Sequence, residues 1–175
     1  MEVGEWDGAT STAMTDGSQL HWMHSDVALY VAVEGADLGA VNLAIDTGDE
    51  VWILHSSAAL GSVLYTRDQS SWSLTHEFNW CCRSITDDTG RRALLDEEGW
   101  QASIGFAGDV GVVEYEVALP WVGGLAAVSY QTESGDPSYW PTHLSDSAEA
   151  ALIGPWPEAE DFYLDEWYRL ETDIE

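Results

Sequence analysis

Between Leu20 and Gly61 apolar and polar residues alternate in short runs broken by turn residues, the period-two pattern of strands with one buried face. Leu20, Trp22 and His24 fall on one side of the first run, and His21 and Met23 on the other. A turn at Ser25 and Asp26 leads into ALYVAVE, where Leu29, Val31 and Val33 share a face. Val41 to Asp46 and Val51 to His55 follow, separated by TGDE, a turn of residues that accept unusual backbone angles. Further strands are expected at Ser62 to Arg67, Leu74 to Cys81, Trp100 to Phe106, Val112 to Leu119 and Leu125 to Gln131, with AGDVG closing a hairpin. About 8–10 strands at this spacing predict an all-β fold, an antiparallel β-sandwich of immunoglobulin-like or jelly-roll-like type. Helix is sparse: Asp87 to Gly99 reads as a short helix or loop, and Ser145 to Leu152 as two turns capped by Ser145 or Asp146.

A length of 175 residues suits a single domain spanning residues 1–175. Within it, 154–175 form an acidic, aromatic tail that Pro155 and Pro157 separate from any preceding element. Its Trp156, Phe162 and Trp167 are expected to pack back on the sandwich. No apolar stretch approaches the roughly 20 residues of a membrane span, so no membrane span is expected. The opening MEVGEWDGATSTAM lacks the basic and apolar regions of a signal peptide.

Charge narrows the partners. Asp and Glu number 32 against five arginines and no lysine, a formal net charge of -27. Nucleic acid is not an expected partner, because binding its phosphates calls for a basic patch. Self-repulsion on this scale, which salt screens, predicts a salt-adapted (halophilic) protein; the alternative is a merely acidic extracellular domain. The adjacent Cys81 and Cys82 have neither the spacing of a disulfide framework nor that of a zinc site, and are expected as buried thiols.

Three groups of residues could carry chemistry. His21, Met23, His24 and His55 offer imidazole and thioether ligands for copper or haem iron. Strand alternation sets His21 and His24 on opposite faces, so a site would pair His21 with Met23, or His24 with His55 from another strand. The segment His55-Ser56-Ser57 ends the apolar VWIL run and enters the small-residue AALG stretch, where a ligand can approach closely. Ser56 or Ser57 could serve as a nucleophile, though no GxSxG elbow and no triad acid is identified; the alternative is that both bond local backbone. Among ten tryptophans, Trp72, Trp80, Trp100, Trp140 and Trp156 fall in or beside less regular segments where an indole could stack on a ligand rather than fill the core. Glu114 and Glu116 share one strand face, expected to be solvated, and Asp7, Asp26, Asp46 and Asp49 at turns offer oxygen ligands for calcium.

The segments GEWDGA, LHWMHSDVALYVAVEG, VNLAID and VVEYEVALPW resemble the DOMON-like superfamily over most of residues 2–131. That superfamily includes family 9 carbohydrate-binding modules and haem-binding domains of extracellular cytochromes. The resemblance implies a β-sandwich, with carbohydrate or haem as ligand; no pair of stacked tryptophans maps onto the sugar clamp of the carbohydrate-binding members. Together these observations lead to the expectation of a noncatalytic module recognising a carbohydrate or other small organic ligand, through His55, Ser56, Ser57 and Trp72, Trp80, Trp100 and Trp140. Its expected place is extracellular or at the cell surface, with a cytoplasmic location left open. The alternatives are a haem- or metal-binding electron-transfer domain and a hydrolase whose active site the sequence conceals.

Overall fold

A computed structural model describes residues 6–69, 71–81, 88–118, 124–133 and 135–170, with backbone alone at 78–81, 88, 91, 92, 94 and 95. Two antiparallel sheets pack face to face. The first contains β1 (Thr10–Ala13), β2 (Gln19–His24), β3 (Leu29–Gly35), β8 (Trp100–Ala107) and β9 (Val110–Val117), in the order β1-β2-β3-β9-β8. The second is built on β4 (Gly39–Asp46), β5 (Glu50–Ser56), β6 (Leu60–Asp68), β7 (Ser71–Cys81), β10 (Leu125–Thr132), β11 (Ser138–Trp140) and β12 (Ala159–Glu160), in the order β11-β10-β4-β5-β6-β7-β12. A final two-residue strand, β13 (Tyr168–Arg169), pairs with β10. All nine strands expected from the alternation form, and the all-β sandwich is correct. The further four strands are two to four residues long, too short to carry a readable alternation.

Alternation decides what each face buries. Leu20 and Trp22, Val31 and Val33, and Val113 and Tyr115 point inward from the first sheet and meet Val41, Leu43, Ile45, Leu54 and Val128 of the second. The Tyr115 hydroxyl crosses this core to donate to the Val41 carbonyl at 2.7 Å, tying the sheets together. Trp100 is fully buried here, and truncating such a side chain to alanine costs about 3–5 kcal/mol.

The chain changes sheets at the β3–β4 corner, where Gly35, Gly39 and Gly111 permit close approach. A Cβ on Gly111 would lie 2.1 Å from the Asp37 carbonyl oxygen, and one on Gly39 only 2.5 Å from the Tyr130 ring. Tyr130 fills this corner and donates its hydroxyl to the Asp37 carbonyl at 2.6 Å.

The second sheet is covered on its outer face as well. Ala44, Val51, Ile53, Val63, Tyr65 and Ala127 form a second apolar layer beneath Leu152, Phe162 and Trp167. Helix α2 (Asp146–Ala151) begins at Ser145, whose side chain accepts from the Ala148 N–H, and buries Ala148 and Ala151. Helix α1 (Asp88–Glu98) leads into β8. After α2 the chain runs back across the sheet: the Tyr65 hydroxyl donates to the Pro157 carbonyl at 2.7 Å, β12 pairs with β7, and Phe162 packs edge-on against Tyr65 and Trp72. No helix among the described residues is long and apolar enough to cross a membrane.

Candidate functional site

Antiparallel pairing sets Ser129 of β10 beside Asn42 of β4, Asn42 beside His55 of β5, and His55 beside Gly61 of β6. All lie in one row on the outer face of the second sheet, since their neighbours two residues away, Ala127, Ala44, Ile53 and Val63, form the outer apolar layer. Ser57, two residues after His55, follows the same parity.

The row is joined by hydrogen bonds whose directions can be assigned. Leu152, at the end of α2, presents a carbonyl that can only accept; the Asn42 amide nitrogen donates to it at 2.9 Å and to Ser129 Oγ at 3.0 Å. Both Asn42 N–H groups are thereby used, so Asn42 Oδ1 must accept from His55 Nδ1 at 2.6 Å. The neutral imidazole therefore carries its proton on Nδ1, and the lone pair on Nε2 accepts from the Ser57 hydroxyl at 2.9 Å. The Ala59 N–H donates to the same Ser57 oxygen at 3.3 Å. Burial pushes the His55 pKa down from 6.5 to about 4, so the ring is neutral at pH 7.

Above this row opens a pocket of about 430 Å³. Asn42, His55 and Ser129 lie in its floor, Gln131 and Glu77 supply polar groups, and Ile153 to Trp156 form a wall. The Trp156 and His55 rings meet edge to face with centroids 6.1 Å apart. A second concavity, of about 330 Å³, lies on the outer face of the first sheet. There Trp6 Nε1 donates to Glu114, and the Gln101 amide to Glu116.

Of the expected site residues, the structure brings His55 and Ser57 together and separates the rest. Ser56 is a correction: it faces the opposite way from His55, fully buried between the sheets, as alternation requires. Trp100 and Trp140 are inter-sheet core residues, the latter packed on Trp22 at 5.2 Å, and neither lines the pocket. Trp72 is buried in the outer apolar layer against Phe162, with the Arg67 guanidinium 5.5 Å from its ring. The side chains of Trp80 and Cys81, and all of Cys82, lie outside the described residues.

The four candidate metal ligands are spread over different faces, with His21 and Met23 on one and His24 and His55 on two others. His21 lies on the outer face of the first sheet, 2.7 Å from Ser11 Oγ and 3.7 Å from Glu34, whereas His55 lies on the outer face of the second. Met23 shares the His21 face, while His24 falls on the inward-facing side of β2. Among the described residues, no three His, Cys, Asp or Glu side chains are grouped to hold a metal ion.

Asn42, Ser129, Gln131 and Glu77 were not singled out in the sequence, although Asn42 and Ser129 are single polar residues inside the apolar runs VNLAI and AAVSY. A polar residue buried in such a run needs a partner, and that is the signal that marks them. Comparison with known protein families, curated proteins and solved structures returns no match.

Proposed function

We propose that this chain is a β-sandwich binding module whose ligand, a carbohydrate or another small polar organic molecule, occupies the pocket between Trp156 and the Asn42–His55 row. The observation that carries the reading is a concavity of about 430 Å³ with an indole wall and amide, imidazole and hydroxyl groups in its floor and rim. Such size and mixture suit a small ligand with both C–H faces and hydroxyls. A net charge of -27 disfavours anions, so the ligand is neutral or cationic. The resemblance of residues 2–131 to DOMON-like domains points to the same ligand class and to a secreted or cell-surface setting.

Glycan-array screening followed by titration of tryptophan fluorescence tests the reading. A bound glycan should quench the emission, and Trp156→Ala should weaken binding about tenfold or more, the equivalent of about 1.4 kcal/mol. Trp6→Ala, on the opposite face, should leave affinity unchanged. Absence of any glycan response would remove the carbohydrate reading.

A further inference from the structure

We infer that Ser57, which stands on His55 beside the pocket and not among its lining residues, is a nucleophile activated by His55 and oriented through Asn42, acting on carboxylic esters of small hydroxylated molecules. The inference rests on the pocket beside His55 being the ligand site. Its basis is the chain of contacts from Asn42 Oδ1 to His55 Nδ1 at 2.6 Å and from His55 Nε2 to Ser57 Oγ at 2.9 Å. Those contacts supply two of the parts that nucleophilic catalysis by a serine uses: a base within reach of the hydroxyl and a third group holding the base in one tautomer.

Asn42 suits that third role because its nitrogen is committed to Leu152 and Ser129, leaving only the oxygen for the imidazole. An amide aimed the wrong way would select the other tautomer and leave Nε2 protonated, unable to accept the serine proton. The one Ser57 hydroxyl proton faces Nε2 at 2.9 Å, the shorter contact, and the Ala59 carbonyl at 3.4 Å; with the proton on the Nε2 side and the Ala59 N–H received, one oxygen lone pair remains for attack. Burial keeps His55 neutral above about pH 4, so the accepting form is present throughout the physiological range.

The step balances as acyl transfer to water. Ser57 Oγ bonds to the ester carbonyl carbon as its proton passes to His55 Nε2. The carbon–oxygen bond to the alcohol breaks, and the leaving oxygen takes that proton. Water then adds to the acyl-serine, passing a proton through Nε2 back to Ser57 Oγ, and the carboxylic acid departs. Gln131 and Trp156 line the adjoining pocket with His55.

A fluorophosphonate probe, with peptide mapping by mass spectrometry, tests the nucleophile on the unmodified protein. The expected result is an adduct on Ser57, lost in Ser57→Ala and reduced at least tenfold in His55→Gln, with p-nitrophenyl acetate hydrolysis falling in parallel. Near-ultraviolet circular dichroism checks that both variants fold, and the mapped wild-type adduct stands independently of them. Absence of an adduct on Ser57, or p-nitrophenyl acetate hydrolysis unchanged in folded Ser57→Ala, overturns the inference. Glycan binding without a Ser57 adduct overturns the chemistry and leaves the binding reading intact. An adduct on Ser57 without any glycan response supports the nucleophile and removes the carbohydrate.

Discussion

Burial of the His55 ring sets how this position answers to acid. Its folded-state pKa of about 4 lies below the ordinary 6.5, so between those values the unfolded chain takes up a proton that the native ring refuses. Native stability is therefore lost as pH falls from about 6.5 to about 4, and this group contributes no pH dependence above pH 7. The shift corresponds to about 3 kcal/mol at most, reduced by the water that reaches the open part of the ring. His55→Gln should accordingly show a smaller fall in Tm between pH 7 and pH 4 than the wild type, measured by thermal denaturation at both pH values. At this scale the sequence was half legible. The place of His55 and Ser57 at the end of an apolar run is visible in VWILHSS, but Asn42 meets His55 only through the cross-strand register of β4 and β5. Thirteen residues of separation hide that contact. Ser56 could have been turned away from its neighbours by parity alone.

Among the elements, the β3–β4 corner is the tightest constraint. Tyr130 reaches from β10 to hold it, and β9 passes directly beneath. Gly111→Ala should destabilise by about 1–3 kcal/mol, because backbone must move to admit the methyl group. Tyr130→Phe should cost about 1 kcal/mol, the net worth of the lost hydrogen bond. Urea denaturation of both variants measures these losses; unchanged midpoints would mean that the corner relaxes freely. The nine longer strands were legible because each buries at least one side, which imposes period two on five or more residues. β11, β12 and β13 had no such imprint: they form because the chain after Pro137 is drawn across a sheet that already exists. Trp156 and Phe162 were readable as residues that fold back, yet what they cover depends on where α2 ends, at the Leu152 carbonyl held by Asn42.

For the whole molecule, the two outer faces have opposite characters. One is roofed by α2 and the C-terminal segment over an apolar layer, and the other carries Glu34, Glu114 and Glu116 toward solvent. With 32 acidic side chains and only five arginines, most carboxylates have no cation to meet. Their repulsion weakens as the Debye length shrinks from about 8 Å at physiological salt to about 3 Å at 1 M. Tm should therefore rise steadily from low salt to molar potassium chloride, by calorimetry at pH 7; a flat response would separate the acidic composition from any adaptation to salt.

The wall that Ile153 to Trp156 contribute to the pocket continues into a segment that lies on the surface, whereas its floor is sheet. Exposed Pro157, Glu158, Ala159 and Asp161 follow it directly, held to the sheet by the two residue pairs of β12, the Leu74 N–H on the Glu158 carbonyl and the Tyr65 hydroxyl on the Pro157 carbonyl. A protease that nicks this stretch would dismantle the pocket while sparing the sandwich beneath. Whatever occupies the pocket would, by the same linkage, shield the stretch from cleavage. Resistance to limited digestion thus becomes a reporter of occupancy that works for any occupant, whatever its chemistry.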